Sequence, residues 1–314
     1  MPKRYLVTGG AGFIGSHLAE ALIARGDQVI VVDNFASGKP ANLAGIGDRL
    51  TLIEADVRDL ATLESNIGQV DAIVHLAALI SSQDSLRSPD EYSDVNIGGL
   101  LRVIDFAARN RVPRIIFASS STIYGDHPAA ALAEEMVPAP LTVYALTKLA
   151  GEHLLHLYGK LHGFSHCSLR LFNVYGPRQA TDHPYANVTC KFAHAAANGL
   201  PVKLYGDGEQ SRDFVYVSDV VDAICAALLG SEQAIYNVGR GEARRINDLL
   251  AILNQMSASP LAVEQCPAWP NDLESVRADT RRLEADFGFR PQISLEQGLA
   301  QTVDWFRSQP QEQG

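Results

Sequence analysis

The chain has 314 residues, 46% of them hydrophobic and 20% charged, and a formal net charge of −10. Its composition is that of an ordinary globular protein, long enough for one large domain or a main domain with a smaller partner. The acidic balance argues against a nucleic-acid surface, which needs a basic patch, but leaves open a phosphate-bearing ligand held by backbone N–H groups at a helix start.

The first half alternates strand and helix patterns. Residues 5–8 read as a strand, 9–15 as a glycine-rich turn and 16–25 as a helix. Continuous apolar strands follow at 28–33, 50–56, 71–76 and 114–119, with a helix predicted at 97–109. Such strands separated by helices imply a parallel sheet covered on both faces, the doubly wound α/β (Rossmann) architecture. A long helix is predicted at 144–162 and a strand at 168–172; beyond Asn173 the elements shorten, with turn signals at 176–177, 182–185 and 206–208 and strands at 213–217 and 234–238. The expected organisation is a dinucleotide domain of residues 1–174 plus about 213–240, a smaller C-terminal substrate domain of about 175–212 plus 241–307, and a tail at 308–314. No apolar run reaches the roughly 18 residues of a membrane span. The N-terminus enters a strand directly, without a signal peptide. The four cysteines, Cys167, Cys190, Cys225 and Cys266, form no CxxC pair. A cytoplasmic protein with free thiols and no metal site is the expectation.

In the segment 8–16, TGGAGFIGS, Gly9 and Gly12 permit a tight turn and close approach of backbone to a pyrophosphate, and Gly15 permits close packing of helix on strand. Asp33 ends the second strand, where its carboxylate can accept hydrogen bonds from ribose hydroxyls and would repel a 2′-phosphate; NAD is therefore expected over NADP. Asp56 and Val57 end the third strand pattern and either meet an adenine or form an ordinary helix cap. The small residues of Leu76-Ala77-Ala78 suit either a nearby cofactor or core packing.

Ser119-Ser120-Ser121 ends the fifth strand, and Tyr144 and Lys148 lie four residues apart, on one face of a predicted helix. A free tyrosine, with a pKa near ~10, is a poor base at neutral pH. A neighbouring ammonium and a positively charged nicotinamide would lower that value, and a serine hydroxyl could bond the same reacting oxygen.

Taken together, TGGAGFIGS (8–16), VVDN (31–34), DVRD (56–59), HLAA (75–78), Asn96, SSSTIYG (119–125), YALTK (144–148), RLFNVYGPRQ (170–179), RDFVYVSD (212–219) and YNVG (236–239) resemble the extended short-chain dehydrogenases/reductases, in the branch of NAD-dependent epimerases and dehydratases. The resemblance implies Tyr144 as acid/base, Lys148 on the nicotinamide ribose and Ser120 as hydroxyl partner, with Ser121 a weaker substitute. It implies a cofactor lining of Phe13, Ile14, Asp33, Asn34, Ser37, Gly38, Asp56, Val57, Leu76, Ala78 and Asn96. On the side of a UDP-sugar substrate it implies Asn173 at the phosphates, Val188, Lys191, Tyr205 and Arg212 around the nucleotide, and Arg277 as a further charge. It also implies a homodimer formed through the two helices at 100–109 and 144–161.

Dehydratases of this family carry an Asp-Glu pair directly after the active-site hydroxyl, and related decarboxylases a Glu in the same segment; here Ser121 and Thr122 follow Ser120. The resemblance therefore favours 4-epimerisation, and the small Val276 favours a site with room for an N-acetyl group. Where relatives often hold a phosphate-binding Arg, three residues before Asp272, this chain has Trp269. A nucleotide-sugar reductase would use the same Ser, Tyr and Lys but needs exchangeable NADPH, against Asp33; a non-catalytic NAD sensor would not need the intact set.

Overall fold

A computed structural model describes residues 2–127, 130–181, 186–230, 234–257, 259–268 and 273–309. The turn expected at 182–185, Trp269, Asp272 and residues 310–314 of the tail lie outside the described residues. The strands in chain order are β1 (Arg4–Thr8), β2 (Gln28–Asp33), β3 (Leu50–Glu54), β4 (Ala72–His75), β5 (Arg114–Ser120), β6 (Ser165–Leu171), β7 (Asn173–Tyr175), β8 (Val202–Tyr205), β9 (Ser211–Tyr216), β10 (Ile235–Val238), β11 (Ala243–Arg245) and β12 (Val263–Cys266).

Seven of these form one wholly parallel sheet in the order β10-β6-β5-β4-β1-β2-β3. The central strands β1, β2 and β4 are largely apolar because both faces are buried, whereas the edge strand β3 is largely exposed and β6 buries Ser168 and Arg170 among its apolar residues. Side chains alternate across a strand, so Tyr5, Val7, Val29, Val31 and Val74 join one core while Leu6, Ile30, Val32 and Ile73 join the other. The first core is closed by the helices Phe13–Ala24 and Val217–Leu229, through Leu18, Leu22, Val220 and Ile224. The second is closed by Gly99–Arg109 and Val143–His162, through Leu100, Val103, Ile104 and Leu155. This is the Rossmann arrangement that the strand pattern predicts. The helix expected from residue 97 begins at Gly99, after a π-helical segment at Asp94–Gly98.

A small sheet in the order β11-β9-β7 and a parallel β12-β8 pair make up a second layer. The helices Val188–Asn198, Ile246–Met256 and Leu295–Ser308 pack there, and their Phe192, Leu249, Leu299 and Val303 extend the first core. The boundary expected at 213 falls inside β9, whose residues pair with β7 and β11; the main layer resumes with the helix that follows it.

The strand order reverses direction between β4-β1 and β1-β2, and the crevice beyond the carboxyl ends of such strands is where doubly wound folds bind ligands. Thr8, Asp33, His75 and Ser120 all end strands at that edge.

Candidate active site

At the end of β1 the chain turns through Gly9, whose φ is +73°. A Cβ there would come within 2.7 Å of the Ala77 backbone nitrogen, so glycine alone fits between β1 and the segment after β4. A Cβ on Gly15 would collide with the Gly9 carbonyl. The helix beginning at Phe13 has Gly12 as its N-cap, with no side-chain cap and no acidic residue in its first turn. Its leading N–H groups and dipole therefore face the crevice without an internal anion. Phe13, Ile14, Leu76 and Ala78 are half-buried around this turn.

Asp33 is buried, and its carboxylate accepts N–H bonds from Ala11 (2.9 Å) and Phe35 (2.8 Å), bracing the glycine turn as well as facing the crevice. Gly38 lies so close to it that a Cβ would meet Oδ1 at 2.9 Å, while Ser37 is exposed beside it. Asn34 donates to Asp56 (2.9 Å). Asp56 also accepts the Arg58 amide at the start of the 3-10 turn and pairs with the Arg58 guanidinium, which pulls its pKa down to about 2. The cap geometry left open by the sequence is thus present. Val57 turns into the core against Gly99. The Asn96 side chain is committed to the Leu79 backbone (2.8 and 3.0 Å) and to Thr147 (3.0 Å).

The helix Val143–His162 starts under the cap of Thr142, whose hydroxyl accepts the Ala145 amide, and ends at a left-handed Gly163. It brings Tyr144 and Lys148 to the end of β5. Ser120, at the end of β5, stands near enough to the Tyr144 phenol to lower its pKa, and its hydroxyl accepts from Thr122 Oγ1 (2.9 Å). Lys148 donates to the Ala118 carbonyl at 2.8 Å, with its ammonium 5.8 Å from the Tyr144 ring centroid. Without NAD, burial pushes the Tyr144 phenol up to about 12, opposed by Ser120, and burial pulls Lys148 down to about 7. Desolvation favours the neutral form of both groups. His75, stacked on Phe117 and bonded to Thr8 (2.7 Å), is likewise held neutral by burial and by Lys148, at about 3.

Asn173 begins β7, and Val188 and Lys191 lie on the helix Val188–Asn198, half-buried. Tyr205 ends β8. Arg212 donates to the carbonyls of Ser211 and Leu273, both at 2.7 Å, and Arg277 to that of Ala130 at 3.0 Å. Both guanidiniums are thus tied to backbone carbonyls. Val276 is buried with Ile123, Leu132 and Phe172, the cluster next to Ser121 and Asn173. Two charged residues that the sequence pattern did not single out lie against Ser119: Glu152 and Arg170, each side chain 3% exposed and paired at 2.8 Å. Their signal was available, since Glu152 follows Lys148 by one helical turn on the same buried face.

Residues 5–239 match the family model described as the NAD dependent epimerase/dehydratase family. The chain belongs to this family. A UDP-N-acetyl-alpha-D-glucosaminuronate decarboxylase of Bacillus cytotoxicus is 34% identical, with 98% of each chain covered. The UDP-N-acetylglucosamine 4-epimerase from Methanobrevibacter ruminantium, solved in complex with UDP-N-acetylmuramic acid, superposes with a TM-score of 0.94 at 37% identity, covering 98% of this chain and 99% of that one. The Thermus thermophilus UDP-glucose 4-epimerase, solved with NAD, superposes with a TM-score of 0.90 at 38% identity, covering 97% and 99%.

As a member of the NAD-dependent epimerase/dehydratase family the protein is an enzyme whose cofactor is NAD. The crevice fits that molecule. A helix N-terminus without its own anion suits a pyrophosphate, the Gly9 and Gly15 cradle admits no side chain, and the buried Asp33 carboxylate suits a ribose diol rather than a phosphate. No helix of the described residues is long and apolar enough to cross a membrane.

Proposed function

We propose that the protein is a UDP-sugar 4-epimerase that interconverts UDP-N-acetylglucosamine and UDP-N-acetylgalactosamine and also accepts UDP-glucose. The observation carrying this reading is that buried Ser120, Tyr144 and Lys148 meet at the end of β5, with Ser121 and Thr122 after Ser120 rather than an acid and a base. Oxidation at C4 needs one proton acceptor at the hydroxyl, which Tyr144 supplies. Elimination of water would need a further acid and base directly after Ser120, where Ser121 and Thr122 offer hydroxyls.

Bound NAD supplies the hydride acceptor and, once reduced, the hydride donor. Tyr144 takes the C4 hydroxyl proton and later returns it, Ser120 holds the same oxygen, and Lys148 holds the ribose hydroxyls. Its phenol sits at about 12 in this protein, so a second positive charge, such as an oxidised nicotinamide, is required to favour phenolate at neutral pH. Gly9, Gly12, Phe13, Ile14, Gly15, Asp33, Asn34, Ser37, Gly38, Asp56, Leu76 and Ala78 line the cofactor crevice. Asn173, Arg212 and Arg277 meet the diphosphate, and Val188, Lys191 and Tyr205 surround the nucleotide base. Val276 leaves room for the C2 substituent; the superposition on a UDP-N-acetylglucosamine 4-epimerase supports that choice.

The protein acts as a homodimer. Leu146, Leu157 and Leu161 are 54%, 59% and 69% exposed on one face of the helix Val143–His162, an apolar stripe that a second copy would cover.

The relative from Bacillus cytotoxicus favours a second reading, decarboxylation of a UDP-uronate. Purified protein without added NAD, incubated separately with UDP-N-acetylglucosamine, UDP-glucose and UDP-N-acetylglucosaminuronate and followed by proton NMR, separates the two. Appearance of the C4 epimer of either neutral sugar supports epimerisation. Recovery of both neutral sugars intact, with loss of the uronate C6 carboxylate, replaces it by the second reading.

A further inference from the structure

We propose that the buried Glu152–Arg170 pair is a positioning element, coupling the Ser120–Tyr144 hydroxyls to the backbone segments that flank Val276. The inference rests on the catalytic reading of Tyr144 given above.

Two consecutive residues at the end of β5 bond to one face of the helix Val143–His162, next to Ser120. The Ala118 carbonyl accepts from Lys148 (2.8 Å) and the Ser119 hydroxyl donates to Glu152 (2.6 Å), one and two helical turns beyond Tyr144. Glu152 is held in turn by Arg170 on the neighbouring strand, through Nε to Oε1 (3.0 Å) and Nη2 to Oε2 (2.8 Å). This bidentate geometry fixes both planes.

Arg170 also reaches the other way. Its Nη1 donates to the Tyr124 hydroxyl (2.9 Å), and its guanidinium carbon lies 4.9 Å from that ring's centroid. Tyr124 donates to Asn237 (2.7 Å), whose amide nitrogen donates to the carbonyls of Leu132 (2.8 Å) and Asp279 (3.2 Å). Leu132 in turn exchanges backbone bonds of 2.8 Å with Arg277 and Asp279. A continuous run of buried bonds therefore leads from the catalytic helix to the strand of chain carrying Val276 and Arg277. A buried ion pair is a poor device for stability, since apolar residues of similar volume commonly replace one at no cost. Its contribution here is geometric: it joins proton-transfer groups to the wall against which the sugar rests.

The test is the double substitution Glu152→Leu/Arg170→Met, with Tyr124→Phe as a lighter cut that removes the hydroxyl link from Arg170 to Asn237 and leaves the longer one through Glu134, whose carbonyl accepts from Arg170 (3.3 Å) and whose Oε1 accepts the Asn237 backbone amide (2.8 Å). In the NAD-loaded double variant we expect a melting temperature within about 5 °C of the parent, unchanged NAD content, little change in KM, and kcat for the UDP-sugar reduced roughly tenfold to a hundredfold. Tyr124→Phe should lower kcat less, and should add nothing in the double background. A folded, NAD-loaded double variant with parental kcat overturns the proposal. If the double variant does not fold, parental kcat in Tyr124→Phe overturns it. Amide hydrogen exchange at Leu132 and Asp279 reads the same coupling without turnover: about tenfold faster exchange is expected in either variant, and unchanged exchange refutes the coupling. A parent that retains NAD yet converts no UDP-sugar refutes the epimerase reading instead, and the exchange measurement then decides the coupling on its own.

Discussion

Lys148 directs its ammonium at the Ala118 carbonyl, 2.8 Å away, while buried among Tyr144, Phe117 and His75. Burial lowers its pKa from 10.5 to about 7. A depressed lysine pKa means that the unfolded chain binds the proton more tightly. The NAD-free protein should therefore gain stability as pH rises above 7, until the unfolded chain also loses its proton near 10.5. Between pH 7 and 9 the gain is about 2 kcal/mol. Urea unfolding of NAD-free protein at both pH values, compared with Lys148→Met, checks this: the substituted protein should lose most of the difference.

Tyr144→Phe removes the group on which the chemistry turns and leaves the ring. Turnover of a UDP-sugar should fall by roughly 10²–10⁴-fold with bound NAD retained, measured as product per NAD. The substitution also has a signature free of turnover. The folded phenol titrates at about 12 against about 10 unfolded, so its contribution to stability is intact below pH 10 and is lost as pH rises through 12. NAD-free Tyr144→Phe should escape that loss, worth about 2 kcal/mol at pH 12. Equal alkaline sensitivity of the two proteins would show that the phenol is not buried.

Much of this architecture is legible in the sequence because its causes are local. Gly9 and Gly15 stand where no side chain fits, and the central strands are largely apolar because both sheet faces are covered there. Tyr144 and Lys148 share a face by helical spacing alone. What the sequence hides depends on burial and on contacts distant along the chain. Burial shifts both Tyr144 and Lys148 toward their neutral forms in the NAD-free protein, which helical spacing alone does not show. Arg170 meets Tyr124 and, through it, Asn237 only once β5, β6 and β10 are side by side. Val57 and Asn96 fit a cofactor motif, but their side chains are used for packing and for bracing the Leu79 backbone.

Gly9→Ala should empty the cofactor site. The substitution forces alanine to a φ of +73° and drives its methyl against the Ala77 backbone. The cost is about 1–3 kcal/mol for the strained conformation, before any clash is relieved. The substituted protein is expected to be purified with much less NAD, measured by absorbance after denaturation, and to melt lower. Full NAD content would mean that the turn does not hold the pyrophosphate.

The exposed stripe of Leu146, Leu157 and Leu161 can be tested by charge. Glutamate at Leu157 and Leu161 would place two carboxylates within an apolar contact between copies, and burying unpaired charge is strongly unfavourable. On a solvated helix face the same changes cost little. Sedimentation of the parent should show a dimer and of the double variant a monomer, each with its fold intact by circular dichroism. A monomeric parent removes the dimer from the proposal.

Val276→Tyr tests the substrate. Val276 is 7% exposed and packed with Ile123, Tyr124 and Phe172. A phenol ring cannot replace it in place without overpacking, which costs about 1–3 kcal/mol, so on the proposed reading the ring turns out of the cluster toward the bound sugar. There it would occupy the volume proposed for the N-acetyl group while leaving a C2 hydroxyl room. Conversion of UDP-N-acetylglucosamine should fall at least about tenfold, the scale on which a pocket discriminates one small group, while UDP-glucose conversion stays within a few fold of the parent. Steady-state kinetics on both sugars gives the answer as a ratio, which a general loss of stability would not move. An unchanged ratio would mean that Val276 does not face the C2 substituent and that the N-acetyl preference must be sought elsewhere in the crevice.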